Sequence, residues 1–144
     1  MKLRIKGNSL RVRVTPSEMM RLLETGRIEE TIHFAPDKSA RLTYALEHAR
    51  DACSLGLRYS PQEIAVIISS QELRRWAHAE DVGLYAQVHT SHGPLQLAVE
   101  KDFACLDKND AENADTFPNP QQGTVCLTVT QPETKCDRHY TVSN

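Results

Sequence analysis

Residues Lys2–Glu18 read KLRIKGNSLRVRVTPSE, and fifty-four positions later Gly56–Glu72 read GLRYSPQEIAVIISSQE. Identities are few, but the pattern is shared. Leu3 and Ile5 fall on Leu57 and Tyr59, and Leu10, Val12 and Val14 fall on Ile64, Val66 and Ile68. Thr15-Pro16-Ser17-Glu18-Met19 falls on Ser69-Ser70-Gln71-Glu72-Leu73. The same shift places Ile28, Ile32 and Phe34 on Val82, Ala86 and Val88. After one deletion, Leu42, Tyr44 and Leu46 match Leu95, Leu97 and Val99. Agreement over this length identifies an internal duplication, the first feature a fold assignment must respect.

Each copy opens with a hairpin. In the first, Lys2–Lys6 and Ser9–Thr15 flank Gly7-Asn8, residue types that tolerate the positive φ of tight turns. In the second, Pro61-Gln62 takes the turn, where a missing N–H does least harm. Thr15 with Glu18, and Ser69 with Glu72, have the spacing of the capping box that starts a helix. Pro16 suits the first helical turn and Gly26 the stop. Met19, Leu22 and Leu23, then Leu73, Trp76 and Ala77, form apolar stripes at helical spacing. Alternating segments follow at 28–34 and 40–46, and at 82–89 and 94–100. The pattern predicts ββαββ twice, joined by Glu47–Leu55. The fold class is α+β: an eight-stranded, mostly antiparallel barrel or strongly bent sheet with two helices. A barrel is attractive because it removes exposed edges. The duplicated domain spans residues 1–106, with repeats at 1–47 and 55–101.

Residues 107–144 form a separate tail, polar and rich in turn-forming types at first, with one candidate strand at Thr124–Thr130. At 144 residues, the chain is long enough for one domain burying roughly two-thirds of its unfolded surface. No apolar run exceeds a few residues, which excludes a membrane helix, and no signal-peptide core follows Met1. These features predict a cytoplasmic protein. The widely spaced Cys53, Cys105, Cys126 and Cys136 then read as free thiols.

Charge is unevenly distributed. The first fourteen residues hold Lys2, Arg4, Lys6, Arg11 and Arg13 with no acid, whereas residues 107–144 hold six acids and three bases. A two-residue turn at Gly7-Asn8 sets Arg4 opposite Arg11 and Lys2 opposite Arg13, with Leu3, Ile5, Leu10 and Val12 on the other face. Like charges directly opposite one another are destabilising, so water, neighbouring carboxylates or an anionic ligand must offset them. Guanidinium groups suit phosphate because they donate two parallel hydrogen bonds. The expected ligand face comprises Arg4, Arg11 and Arg13, joined by Arg41 and the repeat-related Arg58. The plainer alternative is a solvated sheet face neutralised by Glu29 or Glu47.

Glu100 and Asp102 bring two carboxylates together at the end of the last strand. They are a possible Mg²⁺ or acid–base pair, although a strand end with surface ion pairs is the simpler reading. Cys105, Cys126, Cys136 and His139 have zinc chemistry but no zinc-module spacing. Asp107-Lys108-Asn109-Asp110 opens like a calcium loop and fails at Ala111. His33 and His89 stand near equivalent strand ends and receive no role. Phosphate-loop, nucleophile-elbow and dinucleotide motifs are absent, and no aromatic residue interleaves with the basic run. Stacking on single-stranded nucleic acid is therefore not supported.

The order of elements resembles the duplicated unit of the CYTH-like triphosphate tunnel barrels, although Lys2-Leu3-Arg4-Ile5-Lys6 stands where those enzymes carry Glu-x-Glu-x-Lys. The stretches MKLRIKGNSLRVRVT, EETIHF, EKDFACLD and FPNP resemble a family of small uncharacterised bacterial proteins, over Met1 to Pro120. That resemblance implies a lineage and no activity. The function expected is binding of a small anionic, phosphate-bearing ligand, without a cofactor. The alternatives are an interaction module for an acidic partner, such as this chain's own tail, or a divergent phosphohydrolase requiring Mg²⁺. The balance leans away from catalysis.

Overall fold

The computed structural model describes residues 1–52, 55–105, 111 and 113–120. The first repeat supplies β1 (Lys2–Ile5), β2 (Ser9–Val14), α1 (Pro16–Thr25), β3 (Arg27–His33) and β4 (Arg41–Ala49). The second supplies β5 (Leu55–Ser60), β6 (Glu63–Ser69), α2 (Ser70–His78), β7 (Gly83–Thr90) and β8 (Gly93–Lys101).

The strands form two four-stranded sheets, ordered β1-β2-β8-β7 (sheet A) and β3-β4-β6-β5 (sheet B). Each sheet takes one hairpin from each repeat. Exchanging the repeats carries one order onto the other. Hairpin pairs are antiparallel, but the repeats join through parallel ladders, β2 with β8 and β4 with β6. The registers match as well: Ser9 lies opposite Gln96 in one ladder, and the equivalent Glu63 lies opposite Thr43 in the other. Of the two expected architectures, the closed barrel is not formed. Among the described residues no ladder joins β1 to β3 or β5 to β7.

Three local expectations are corrected. Ile28 pairs with Leu46, and its counterpart opposite Val99 is Leu84, not Val82. Two extra residues separate α2 from β7. An even insertion preserves the in–out alternation, which hid it in the sequence. The predicted linker Glu47–Leu55 is shorter, because pairing with Arg27 and Ile67 extends β4 through Ala49. Finally, only α1 has a complete capping box. Thr15 N donates to Glu18 (2.9 Å) and Glu18 N to Thr15 (3.3 Å). In α2, Ser69 accepts from Glu72 N (3.1 Å), but the Glu72 carboxylate accepts from Arg75 instead (3.3 Å).

The core follows the alternation. Val12, Val14, Leu46, Val66, Ile68, Leu97 and Val99 are buried from the strands, and Leu22, Leu73 and Trp76 from the helices. Trp76 also donates from Nε1 to the Asp81 carbonyl (3.1 Å). Part of the predicted tail returns to the domain: Phe117 bridges Phe103, its N–H donating to Asp102 O (2.8 Å). Thr124–Thr130 lies outside the described residues.

Candidate functional site

The outer face of sheet A carries the basic hairpin. Arg4 lies opposite Arg11 and Lys2 opposite Arg13, as the turn dictates, while Leu10 and Val12 point into the core. The adjoining strand β8 offsets part of the repulsion. Arg13 Nε lies 3.2 Å and Arg11 Nε 3.4 Å from the Glu100 carboxylate. Lys2 Nζ lies 2.6 Å from Asp102. Glu100 is buried, and the Tyr85 hydroxyl also donates to it (3.3 Å). Burial raises the Tyr85 pKa, and the neighbouring Glu100 charge and hydrogen bond raise it further. Gly83, opposite Glu100, lets β7 approach. A Cβ there would stand 2.5 Å from Val99 O.

Arg4 forms no ion pair among the described residues and is exposed. On this face four cations, Lys2, Arg4, Arg11 and Arg13, meet two carboxylates, Glu100 and Asp102.

The outer face of sheet B is built differently at equivalent positions. Arg58, the counterpart of Arg4, lies 2.5 Å from Glu47 and 3.0 Å from Glu63. Arg27 lies 2.7 Å from Glu29, 2.5 Å from Glu47 and 3.1 Å from Glu63. Burial pushes the Glu47 pKa up, but hydrogen bonds from Arg58 and Arg27 outweigh it and hold the carboxyl below its usual range. Hydrogen bonding from Arg58 does the same for Glu63. Counting Arg41, which shares this face by alternation, three cations here meet three carboxylates.

The five arginines expected to form one ligand face are thus divided. Arg4, Arg11 and Arg13 share sheet A. Arg58 is locked in the sheet B network, and Arg41 is exposed on the same sheet opposite His33. Of the two neutralising residues expected for the basic hairpin, Glu29 and Glu47, neither serves it; both pair with Arg27. Glu100 and Asp102 are engaged by cations. Among the described residues no group of three or more His, Cys, Asp or Glu stands close enough to hold a metal ion. His89 is exposed opposite Pro94. Cys105 is an exposed free thiol. Cys53, Cys126, Cys136, His139 and the calcium-like stretch 107–110 lie outside the described residues.

Sequence reasoning missed Arg27 as the hub of sheet B, and Tyr85 and Gly83 as supports for Glu100. One signal was present. With the single deletion, Glu47 and Glu100 occupy the same repeat position.

No helix among the described residues is long and apolar enough to cross a membrane. The fold and this charged face define a duplicated α+β protein with one neutralised and one basic outer sheet face. The chain belongs to the family of unknown function DUF7009, whose model matches residues 1–121. Neither the curated proteins nor the solved structures provide a significant match.

Proposed function

We propose that this protein is a non-catalytic binding module whose outer sheet A face engages a carboxylate-rich acidic partner. The observation that carries the reading is the asymmetry between equivalent faces: Arg58 is held by two carboxylates, while its counterpart Arg4 has none among the described residues. The same scaffold neutralises one face and leaves the other with surplus positive charge. Such a surplus steers anionic partners and discriminates against basic ones. The basic side chains lie on an outer surface, while the inward positions hold Val12, Leu97 and Val99. A tunnel-type triphosphate site would need charged groups aimed inward, so the CYTH-like hydrolase reading gains no support from this arrangement.

The test is a thermal-shift panel at fixed ionic strength. Polyglutamate should raise the melting temperature in a salt-sensitive manner, because a ligand that binds only the folded state stabilises it by mass action. Phosphate, pyrophosphate and triphosphate, with or without Mg²⁺, should have smaller effects. A larger shift with triphosphate than with polyglutamate would overturn the reading in favour of a small phosphate ligand.

A further inference from the structure

We infer that the acidic partner binds as an extended strand added to the free edge of β1, an inference that rests on the reading above. β1 is the outermost strand of sheet A, and among the described residues its backbone ladder is with β2 alone. The hairpin closes with Lys6 N donating to Ser9 O (3.1 Å). Hydrogen-bonded and non-bonded pairs alternate along an antiparallel ladder. Lys2 and Arg4 therefore turn their backbone groups toward β2, and Leu3 and Ile5 turn theirs outward. No backbone hydrogen bond to another described residue occupies the N–H groups of Leu3 and Ile5.

The second repeat provides an internal comparison. β5, the counterpart of β1, lies close to β7, whereas among the described residues β1 has no comparably close strand neighbour besides β2. Met1 does reach toward β3, its amino group lying 2.5 Å from Glu30. Farther along the two strands, Ile5 is 60% exposed and Ile32 45% exposed. Among the described residues the edge is thus anchored at its start and open toward the hairpin tip.

Side-chain alternation specifies the occupant. Residues of an added strand beside Lys2 and Arg4 share their outer face and are favoured as Glu or Asp; those beside Leu3 and Ile5 face inward and are favoured as aliphatic. Charged side chains on an edge strand normally discourage pairing. Here the charge is of one sign, so a second copy of β1 is repelled while an acidic strand is attracted. Strand addition takes affinity from main-chain hydrogen bonds and specificity from alternate side chains.

The probe is acetyl-(Val-Glu)₄-amide, compared with an isomer carrying four Glu followed by four Val and with a version N-methylated at alternate residues. Amide exchange read by NMR should slow at least tenfold at Leu3 and Ile5 with the alternating peptide only. Arg4→Glu should abolish the effect. Binding that perturbs Arg4 and Arg11 without protecting Leu3 and Ile5 would overturn strand addition while leaving the acidic-partner reading intact. Failure of all three peptides and of polyglutamate to bind would overturn both.

Discussion

Glu47 and Glu100 occupy the same position in the two repeats, yet Glu47 shares its two arginines with Glu63 while, among the described residues, Glu100 holds Arg11 and Arg13 alone. One carboxylate closes a neutral network. The other leaves a basic surface partly satisfied.

Glu100→Gln should destabilise the protein by about 1–3 kcal/mol, because it removes the one acid among the described residues that offsets the Arg11–Arg13 repulsion and weakens a buried acceptor. Urea unfolding measures the loss. The same substitution should move the Tyr85 hydroxyl titration part of the way down toward the ordinary value of 10.0, leaving the contribution of burial in place. Ultraviolet titration reads it. An unmoved Tyr85 would show that Glu100 does not act on it.

Gly83→Ala should cost about 1–3 kcal/mol, since the new methyl meets backbone at Val99 O and the β7–β8 ladder must shift. A substitution at Gly56, where a Cβ has open space, should be far milder. Equal losses at both positions, measured by denaturant midpoint, would refute the close-approach account.

Acid stability should depend on the sheet B network. The folded pKa values of Glu47 and Glu63 lie below the ordinary 4.5. Their contribution is therefore fully present above that value and is lost as pH falls through the depressed folded values. Arg58→Ala should flatten the stability–pH curve in that acidic window, lowering stability at neutral pH and converging on the wild type at low pH. A wild-type slope retained in the variant would sink the assignment.

Much of this fold was legible in the sequence, for definable reasons. The Gly7-Asn8 turn set the Lys2–Arg13 and Arg4–Arg11 register, and the Thr15–Glu18 spacing marked the start of α1. The parallel ladders between repeats were not legible, since they depend on which hairpins meet in space and periodicity encodes only alternation. The two-residue offset before β7 was invisible for the same reason. The site was half legible: charge located Arg4, Arg11 and Arg13, but placing Arg58 beside Glu47 and Glu63, away from Arg4, required the exchange of hairpins between sheets.

The charge-reversal pair Arg4→Glu and Arg41→Glu tests the central claim most directly. Both lower the net charge equally, both replace exposed arginines without an ion pair among the described residues, and they lie on different sheets. Titrating each variant and the wild type with polyglutamate at matched ionic strength should show at least a tenfold weaker Kd for Arg4→Glu. Arg41→Glu should remain within about twofold of wild type, because Arg41 belongs to the other sheet and exposed charges are largely screened beyond roughly 8 Å at physiological salt. Equal weakening by the two variants would mean that polyglutamate senses only overall charge, and would contradict a binding face on sheet A.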